Sequence, residues 1–146
     1  MEMMARPEIQ LMDVVGPALG AVAFVLIMSL VREPARQHFN AIFVAGAGAA
    51  YLNGGLGLWE FPFIAVATAA AYLGLRSYRF IGIAWLLHTA WDVVHHLYGN
   101  PIWPWMPLSS FGCAVLDALI AMWFLAGAPS VFSLARSRTR TATGAG

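Results

Sequence analysis

Five apolar segments follow one another along this chain, and the stretches between and beyond them carry most of its charge. A helix needs about 20 mainly apolar residues to cross the hydrocarbon core of a bilayer. Charged residues make up only 10% of the chain, whereas a soluble domain carries about 25%. We therefore predict an all-α, polytopic transmembrane helix bundle that forms one domain over residues 11–128. Its five spans are expected at about residues 11–31, 38–58, 61–75, 80–98 and 109–128.

Arginine placement predicts the orientation of these spans. With five crossings, one side of the membrane receives only Arg6, and the other side receives seven arginines: Arg32, Arg36, Arg76, Arg79, Arg136, Arg138 and Arg140. The positive-inside rule then predicts a multi-pass protein of the cytoplasmic membrane. Residues 1–10 are expected outside the cell, and residues 129–146 are expected to form a disordered cytoplasmic tail.

Composition also excludes several kinds of protein. The formal net charge is only +1, so nucleic-acid binding is not expected. Cys113 is the only cysteine, which excludes an intrachain disulfide and a cysteine-cluster metal site. Membrane lipids are the expected partners, and self-association into a homo-oligomer is left open.

The fourth segment carries ionisable residues at helical spacing. On a helix, His88, Asp92 and His95 fall within about 60° of one another, and His96 lies on the shoulder of the same face. The opposite face is aliphatic. Ionisable groups inside a membrane are costly and usually face the bundle interior or a water-filled cavity. We therefore expect this stripe to point inward.

Residues of other segments are predicted at a similar depth. Asp92 lies about 10 Å, and Asp117 about 12 Å, below the outer end of its own segment, at 1.5 Å per residue. Asn53 and Glu60 also lie near the outer surface. Asn53 ends a small-residue face that should pack inward. A polar site in the outer half of the membrane follows from these positions.

Metal binding is the leading interpretation of this site. His88 and Asp92 are four residues apart, as are Asp92 and His96, and such pairs can chelate one ion. Nitrogen and carboxylate ligands without thiolate suit a divalent transition metal, namely zinc, iron or manganese. Asn53 and Glu60 are expected to support the ligands or to bind a substrate. The predicted ligands are His88, Asp92, His95, His96 and Asp117.

Two other interpretations stay open. A ladder of His and Asp can pass protons, because histidine titrates near neutral pH. The half of the predicted spans nearer the cytoplasm, however, carries no comparable groups, so such a path would stop midway. The polar residues can instead form a structural network between the fourth and fifth segments. In that case the protein is a non-enzymatic binding, transport or assembly subunit.

Two stretches carry a family resemblance: RQHFNAIFVAGAGAAYLNGG at 36–55 and WLLHTAWDVVHHLYG at 85–99. They resemble a family of small bacterial integral membrane proteins described only as a domain of unknown function, over about residues 32–130. The resemblance implies membrane placement and no activity. DVVHH at 92–96 is similar to the HxxHH box of membrane di-iron desaturases and hydroxylases, with Asp92 in place of the first His. Membrane hydrolases of the alkaline ceramidase type have a similar inventory of three His and an Asp around zinc. These likenesses imply a lipid-directed, metal-dependent enzyme.

Overall fold

The computed structural model describes the backbone of residues 7–53 and 55–143, and the side chains of these residues except 53 and 139–143. Over the described residues the fold is all-α and has no strand, which confirms the predicted class. The helices are α1 (Leu11–Leu30), α2 (Ala35–Ala47), α3 (Glu60–Gly74), α4 (Tyr78–Tyr98), α5 (Ser109–Leu125) and α6 (Val131–Thr143).

The predicted second span, 38–58, is not one continuous α-helix. α2 ends at Ala47 and continues as a 3₁₀ segment, Gly48–Asn53, and a second 3₁₀ turn, Gly57–Trp59, leads into α3. This stretch is rich in glycine, the poorest helix former after proline. The 3₁₀ bonding is tighter than α-helical bonding.

Within the stretch predicted as a disordered tail, 129–146, the structure has a helix, α6, at residues 131–143. The start of α6 is attached to the bundle. The Ser130 hydroxyl donates to the Ser29 carbonyl at 3.0 Å, and the Val131 N–H donates to the Ser29 hydroxyl at 3.3 Å. These two bonds order the beginning of the tail, and residues 144–146 lie outside the described part of the chain.

α4 is the central helix of the packing. It packs most extensively against α5, and also contacts α3 and α2, while α1 covers the other side of α5. The core between these helices contains Val44, Ile81, Trp85, Ile120 and Phe124, each at most 3% exposed. A polar group on the inner face of α4 is therefore enclosed by the other helices.

Three connections meet at one end of the bundle. Arg36, at the start of α2, contacts Tyr78 at the start of α4, and the Gln37 side chain donates to the carbonyl of Gly74 at the end of α3. Ser29, near the end of α1, contacts the beginning of α6. The stretches that carry most of the arginines thus share one end.

Two helical stretches of the described chain are long and apolar enough to cross a membrane, judged by length and composition: Leu11–Leu30 and Gly57–Gly74. Ser109–Leu125 is apolar but shorter. The buried His and Asp residues of α4 lower its hydropathy. Apolar helices compatible with a membrane are therefore present, and the five-span topology and its orientation stay predictions.

Candidate functional site

The inner face of α4 carries the polar residues that the sequence places there. His88 and His95 are each 1% exposed, and Asp92 is fully buried. Aliphatic residues of the opposite face, Val93 and Leu97, are each 43% exposed. The amphipathic spacing of α4 thus directs its ionisable residues inward, as predicted.

The first of two polar clusters joins α4 to α5 and to the 3₁₀ segment; we call it the carboxyl cluster (Tyr51, His88, Asp92 and Asp117). The Tyr51 hydroxyl donates to Asp92 Oδ1 at 2.8 Å. His88 Nδ1 lies 3.1 Å from the same hydroxyl. Since the single phenolic proton goes to Asp92, the Tyr51 oxygen accepts from His88 Nδ1–H.

Asp92 and Asp117 complete this cluster. Their side chains lie within hydrogen-bonding contact of each other, and Asp117 is only 6% exposed. Among the described residues neither carboxyl forms an ion pair with an arginine. Two ionised carboxylates in contact repel strongly where water is excluded, so a proton or another cation must lie between them.

Apart from the contact between the two carboxyls, two buried atoms of the carboxyl cluster lack a hydrogen-bond partner in the described part of the chain: Asp92 Oδ2 and His88 Nε2. Asp92 Oδ2 is the carboxylate oxygen that Tyr51 does not contact. The Val44 backbone lies near the His88 ring, but Nε2 makes no aligned hydrogen bond. Unsatisfied buried polar atoms are costly, so this cluster has capacity for a further ligand.

The second cluster is centred on Glu60, the first residue of α3. Its carboxylate accepts from the Leu56 N–H at 3.0 Å and from Trp91 Nε1–H at 2.8 Å. His95 Nε2 lies 2.9 Å from Glu60 Oε1, although its N–H does not point along that line. His95 Nδ1 lies 3.1 Å from the Asn100 carbonyl oxygen. Both ring nitrogens of His95 therefore have a protein oxygen within 3.1 Å, and only Nδ1 forms an aligned hydrogen bond.

We call this second cluster the Glu60–His95 cluster (Glu60, Trp91 and His95). The backbone at Gly55 packs closely against it. A Cβ atom on Gly55 would lie 2.8 Å from His95 Cε1, which no real contact permits. Glycine thus lets the chain close over the imidazole. The cluster ties the start of α3 to the end of α4 and to the loop that follows, and its geometry is that of a structural junction.

The other predicted site residues are placed as follows. His96, on the shoulder of α4, packs its ring against Phe111 of α5, with ring centroids 5.6 Å apart. The side chain of Asn53 lies outside the described residues. Over the described part of the chain, no group of three or more His, Cys, Asp or Glu side chains is disposed to hold a metal ion. The predicted ligand set therefore stays a prediction.

Sequence reasoning missed two residues that matter in these clusters. Tyr51 connects His88 to Asp92, and Trp91 donates to Glu60. In each case the signal was an aromatic ring with a polar atom inside an apolar segment, since such groups usually find a partner when buried. On an α-helical wheel Tyr51 shares a face with Val44 and Gly48, which lie seven and three residues before it, and all three are buried. Helical spacing therefore also indicated Tyr51.

An apolar cavity of about 630 Å³ lies between the start of α1, the loop after α4 and α5. Trp103 and Trp105 line it from the loop side. Cys113 and Leu116 line it from α5, and Cys113 lies one helical turn before Asp117 and close to both Asp92 and Asp117. The carboxyl cluster and an apolar cavity therefore adjoin along α5.

No curated protein and no solved structure matches this chain. One family model matches residues 12–130, which contain α1 to α5 and both polar clusters and exclude α6. The match begins at residue 12, whereas the resemblance seen in the sequence begins at about residue 32. Of the expected resemblance, membership of a family of unknown function is confirmed, whereas bacterial and membrane character stay predictions. The chain belongs to DUF6010, a family of unknown function.

Proposed function

We propose that this chain is an integral membrane protein whose helix core binds a cation at the carboxyl cluster. The observation that carries the proposal is the contact between Asp92 and Asp117, two buried acids from adjacent helices without an arginine partner in the described chain. A cation between the two carboxyls removes their repulsion. The proton is the first occupant to consider, because it needs no further ligand.

The apolar surface supports the membrane placement. Large side chains are widely exposed on the helices that surround the core, among them Leu19 (62%), Ile27 (58%), Val66 (57%) and Met122 (65%). A soluble monomer rarely exposes apolar patches larger than a few hundred Å², whereas a bilayer provides an apolar solvent for them. The clustering of arginine-bearing connections at one end agrees with the five-span, N-outside topology.

A divalent transition metal is the second candidate occupant. It is favoured by the two unpartnered atoms, His88 Nε2 and Asp92 Oδ2, because a neutral imidazole nitrogen and a carboxylate oxygen are ligands for zinc, iron or manganese. Asp117 would be the third ligand of such a site. His95 is a poor candidate because oxygens of Glu60 and Asn100 already lie close to its nitrogens.

The enzymatic form of the proposal, a lipid-directed metal enzyme, depends on this metal. The apolar cavity beside Asp117 fits the apolar part of a lipid. The non-enzymatic form, a membrane binding, transport or assembly subunit, needs only the cation site or a structural network. Absence of metal would therefore exclude the enzymatic form before any substrate is sought.

The experiment compares single substitutions that keep side-chain shape. Purified wild-type protein, Asp92→Asn and Asp117→Asn are offered zinc, iron and manganese, and retained metal is measured by elemental analysis. In parallel, infrared spectroscopy at neutral pH records the C=O stretch of a protonated carboxylic acid. Wild-type protein should show either stoichiometric metal or the protonated-acid band, and both substitutions should abolish that signal.

Glu60→Gln is the matched control, since it changes a buried acid of the other cluster in the same way. It should lower stability by about 1–3 kcal/mol, because charge-assisted bonds are lost, and leave the cation signal unchanged. A wild-type protein with neither metal nor the protonated-acid band would refute the cation proposal. Equal loss of the signal in Glu60→Gln would show that the effect is not local to the carboxyl cluster.

A further inference from the structure

A second cavity lies at the end of the bundle where α1 ends and α6 begins. None of its lining residues belongs to the carboxyl cluster. Its volume is about 510 Å³. Three arginines, Arg32, Arg36 and Arg136, line it together with one acid, Glu33. Three positive charges and one negative charge give these four residues a net charge of +2, so the cavity attracts anions.

The Glu33 carboxylate is already engaged. It accepts from the Tyr78 hydroxyl at 2.6 Å and from Nε and Nη2 of Arg36. Burial opposes ionisation of Glu33, but the hydrogen bonds from Tyr78 and Arg36 outweigh it and lower its pKa below the ordinary glutamate value. Glu33 therefore holds Arg36 in place without neutralising Arg32 or Arg136.

Arg36 supplies the observation that points to a ligand. The residue is only 7% exposed, and its Nη1 is buried without a hydrogen-bond partner in the described chain. A buried guanidinium donor without an acceptor is costly. Phosphate oxygens are preferred acceptors for guanidinium groups, because the planar fork matches their geometry.

The surroundings of the cavity are amphiphilic. Leu30 and Phe132 also line it and are 70% and 40% exposed. The bonds from Ser130 and Val131 to Ser29 hold α6 beside the end of α1. An arginine-rich cavity next to exposed apolar side chains matches a phosphate headgroup whose acyl chains lie alongside the protein.

We infer that this cavity binds a phosphate group, supplied by the headgroup of an anionic phospholipid. The choice of a lipid as the source rests on the membrane placement under Proposed function, whereas recognition of phosphate rests on the cavity alone. Neither depends on the occupant of the carboxyl cluster, so the two proposals can fail separately.

The test uses the full chain in phosphatidylcholine nanodiscs, with and without a minor fraction of phosphatidic acid. Retention of phosphatidic acid is measured by native mass spectrometry, and its stabilising effect by the shift in melting temperature. Detergent-solubilised protein is titrated with inorganic phosphate in a parallel arm. Arg32→Gln and Arg136→Gln remove exposed cavity arginines, so their folding should be little affected, and each should weaken binding about tenfold.

Two matched controls remove the same charge outside the cavity. Arg138→Gln lies two residues beyond Arg136 on α6, and Arg79→Gln lies on the first turn of α4 at the same end of the bundle. Both should bind as wild type does. Arg36→Lys keeps a charge but not the fork, and should weaken binding while the protein remains folded.

The outcomes separate the sources of phosphate. Binding of phosphatidic acid that weakens only in the cavity variants supports the lipid. Binding of inorganic phosphate with the same pattern, without retention of phosphatidic acid, supports the phosphate site but overturns the lipid as its source and assigns it to a free anion. Equal weakening in all arginine variants would mean general charge attraction, and no binding in either arm would mean an empty cavity; either result would overturn the inference.

Discussion

Tyr51 is the residue on which the carboxyl cluster most depends, since its hydroxyl contacts both His88 and Asp92. Tyr51→Phe keeps the ring contacts with His88 and His95 and removes only the hydroxyl. Because His88 Nδ1 and Asp92 Oδ1 then lose a partner inside the bundle, we expect the free energy of unfolding to fall by about 1–3 kcal/mol. Chemical unfolding in detergent micelles would measure the change.

Tyr72→Phe is the control for that substitution, because Tyr72 is 63% exposed. Its stability should equal that of wild type. If Tyr51→Phe were also as stable as wild type, the hydroxyl would carry no net stabilisation and the proposed chain of hydrogen bonds would be unimportant for folding.

Glu33 gives a pH-dependent prediction at the arginine-rich end. Its pKa is lower in the folded protein than the ordinary value of 4.5, so ionised Glu33 stabilises the fold above that value. This contribution disappears as the pH falls through the lowered pKa. The melting temperature of wild type should therefore drop on acidification through this range, and Glu33→Gln should reduce the pH dependence. An identical pH profile in both proteins would contradict the assignment.

At the scale of single residues, the sequence predicts the inward face of α4 well, because 100° per residue fixes which side chains share a face. The small-residue face that ends at Asn53 did not include Tyr51, although Tyr51 lies seven residues after the buried Val44 and shares its helical face. The pairing of His95 with Glu60 was also beyond the sequence. It depends on how residues 54–59 fold back over the end of α4, and periodicity carries no information about that.

The contact between α4 and α5 brings Asp92 to Asp117, and Gly82 permits their close approach at the other end of α4. A Cβ atom on Gly82 would lie 2.7 Å from Leu125 Cγ and 3.1 Å from the Ala121 carbonyl oxygen. Gly82→Ala should therefore push the helices apart and destabilise the protein by about 1–3 kcal/mol. Thermal unfolding in detergent would record the loss.

Gly16 provides the comparison, because a Cβ atom there meets nothing within 4 Å. Gly16→Ala should be neutral or should stabilise α1 by up to about 1 kcal/mol, the difference in helix propensity. If Gly82→Ala and Gly16→Ala changed the stability equally, helix propensity, and not packing between α4 and α5, would determine the change.

At the scale of elements, the sequence places α1, α3, α4 and α5 within a few residues of their observed bounds. Clear sequence signals mark both ends of these helices. For example, α4 begins after Ser77 and ends before Gly99. The tail was harder to predict, because its helix begins where Ser29, a hundred residues earlier in the chain, contacts Ser130 and Val131. Local composition does not contain a contact of that range.

The proposed topology of the whole molecule rests on arginine placement and can be tested by fusion. A reporter that works only in the cytoplasm should be active when fused after Gly146 and silent when fused at Asn100. The reason is that five crossings put the arginine-rich end inside and the loop after α4 outside. Membrane insertion should be checked by fractionation of the same fusions.

The contrary result is equally clear. Activity at Asn100, in a fusion that fractionates with the membrane, would overturn the five-span model. The two candidate spans alone, Leu11–Leu30 and Gly57–Gly74, would then be the starting point for a smaller number of crossings.

The unequal lengths of the helices determine how lipid meets the proposed membrane protein. At 1.5 Å per residue, α4 with 21 residues is about 32 Å long and matches a hydrocarbon core of about 30 Å. α3 has only 15 residues and is about 23 Å long. On the proposed membrane placement, α3 by itself is shorter than the hydrocarbon core, so lipid beside it either becomes thinner or meets the 3₁₀ turn Gly57–Trp59 that precedes the helix. A thinner membrane reduces this hydrophobic mismatch, and two copies that share the thinned lipid reduce it as well.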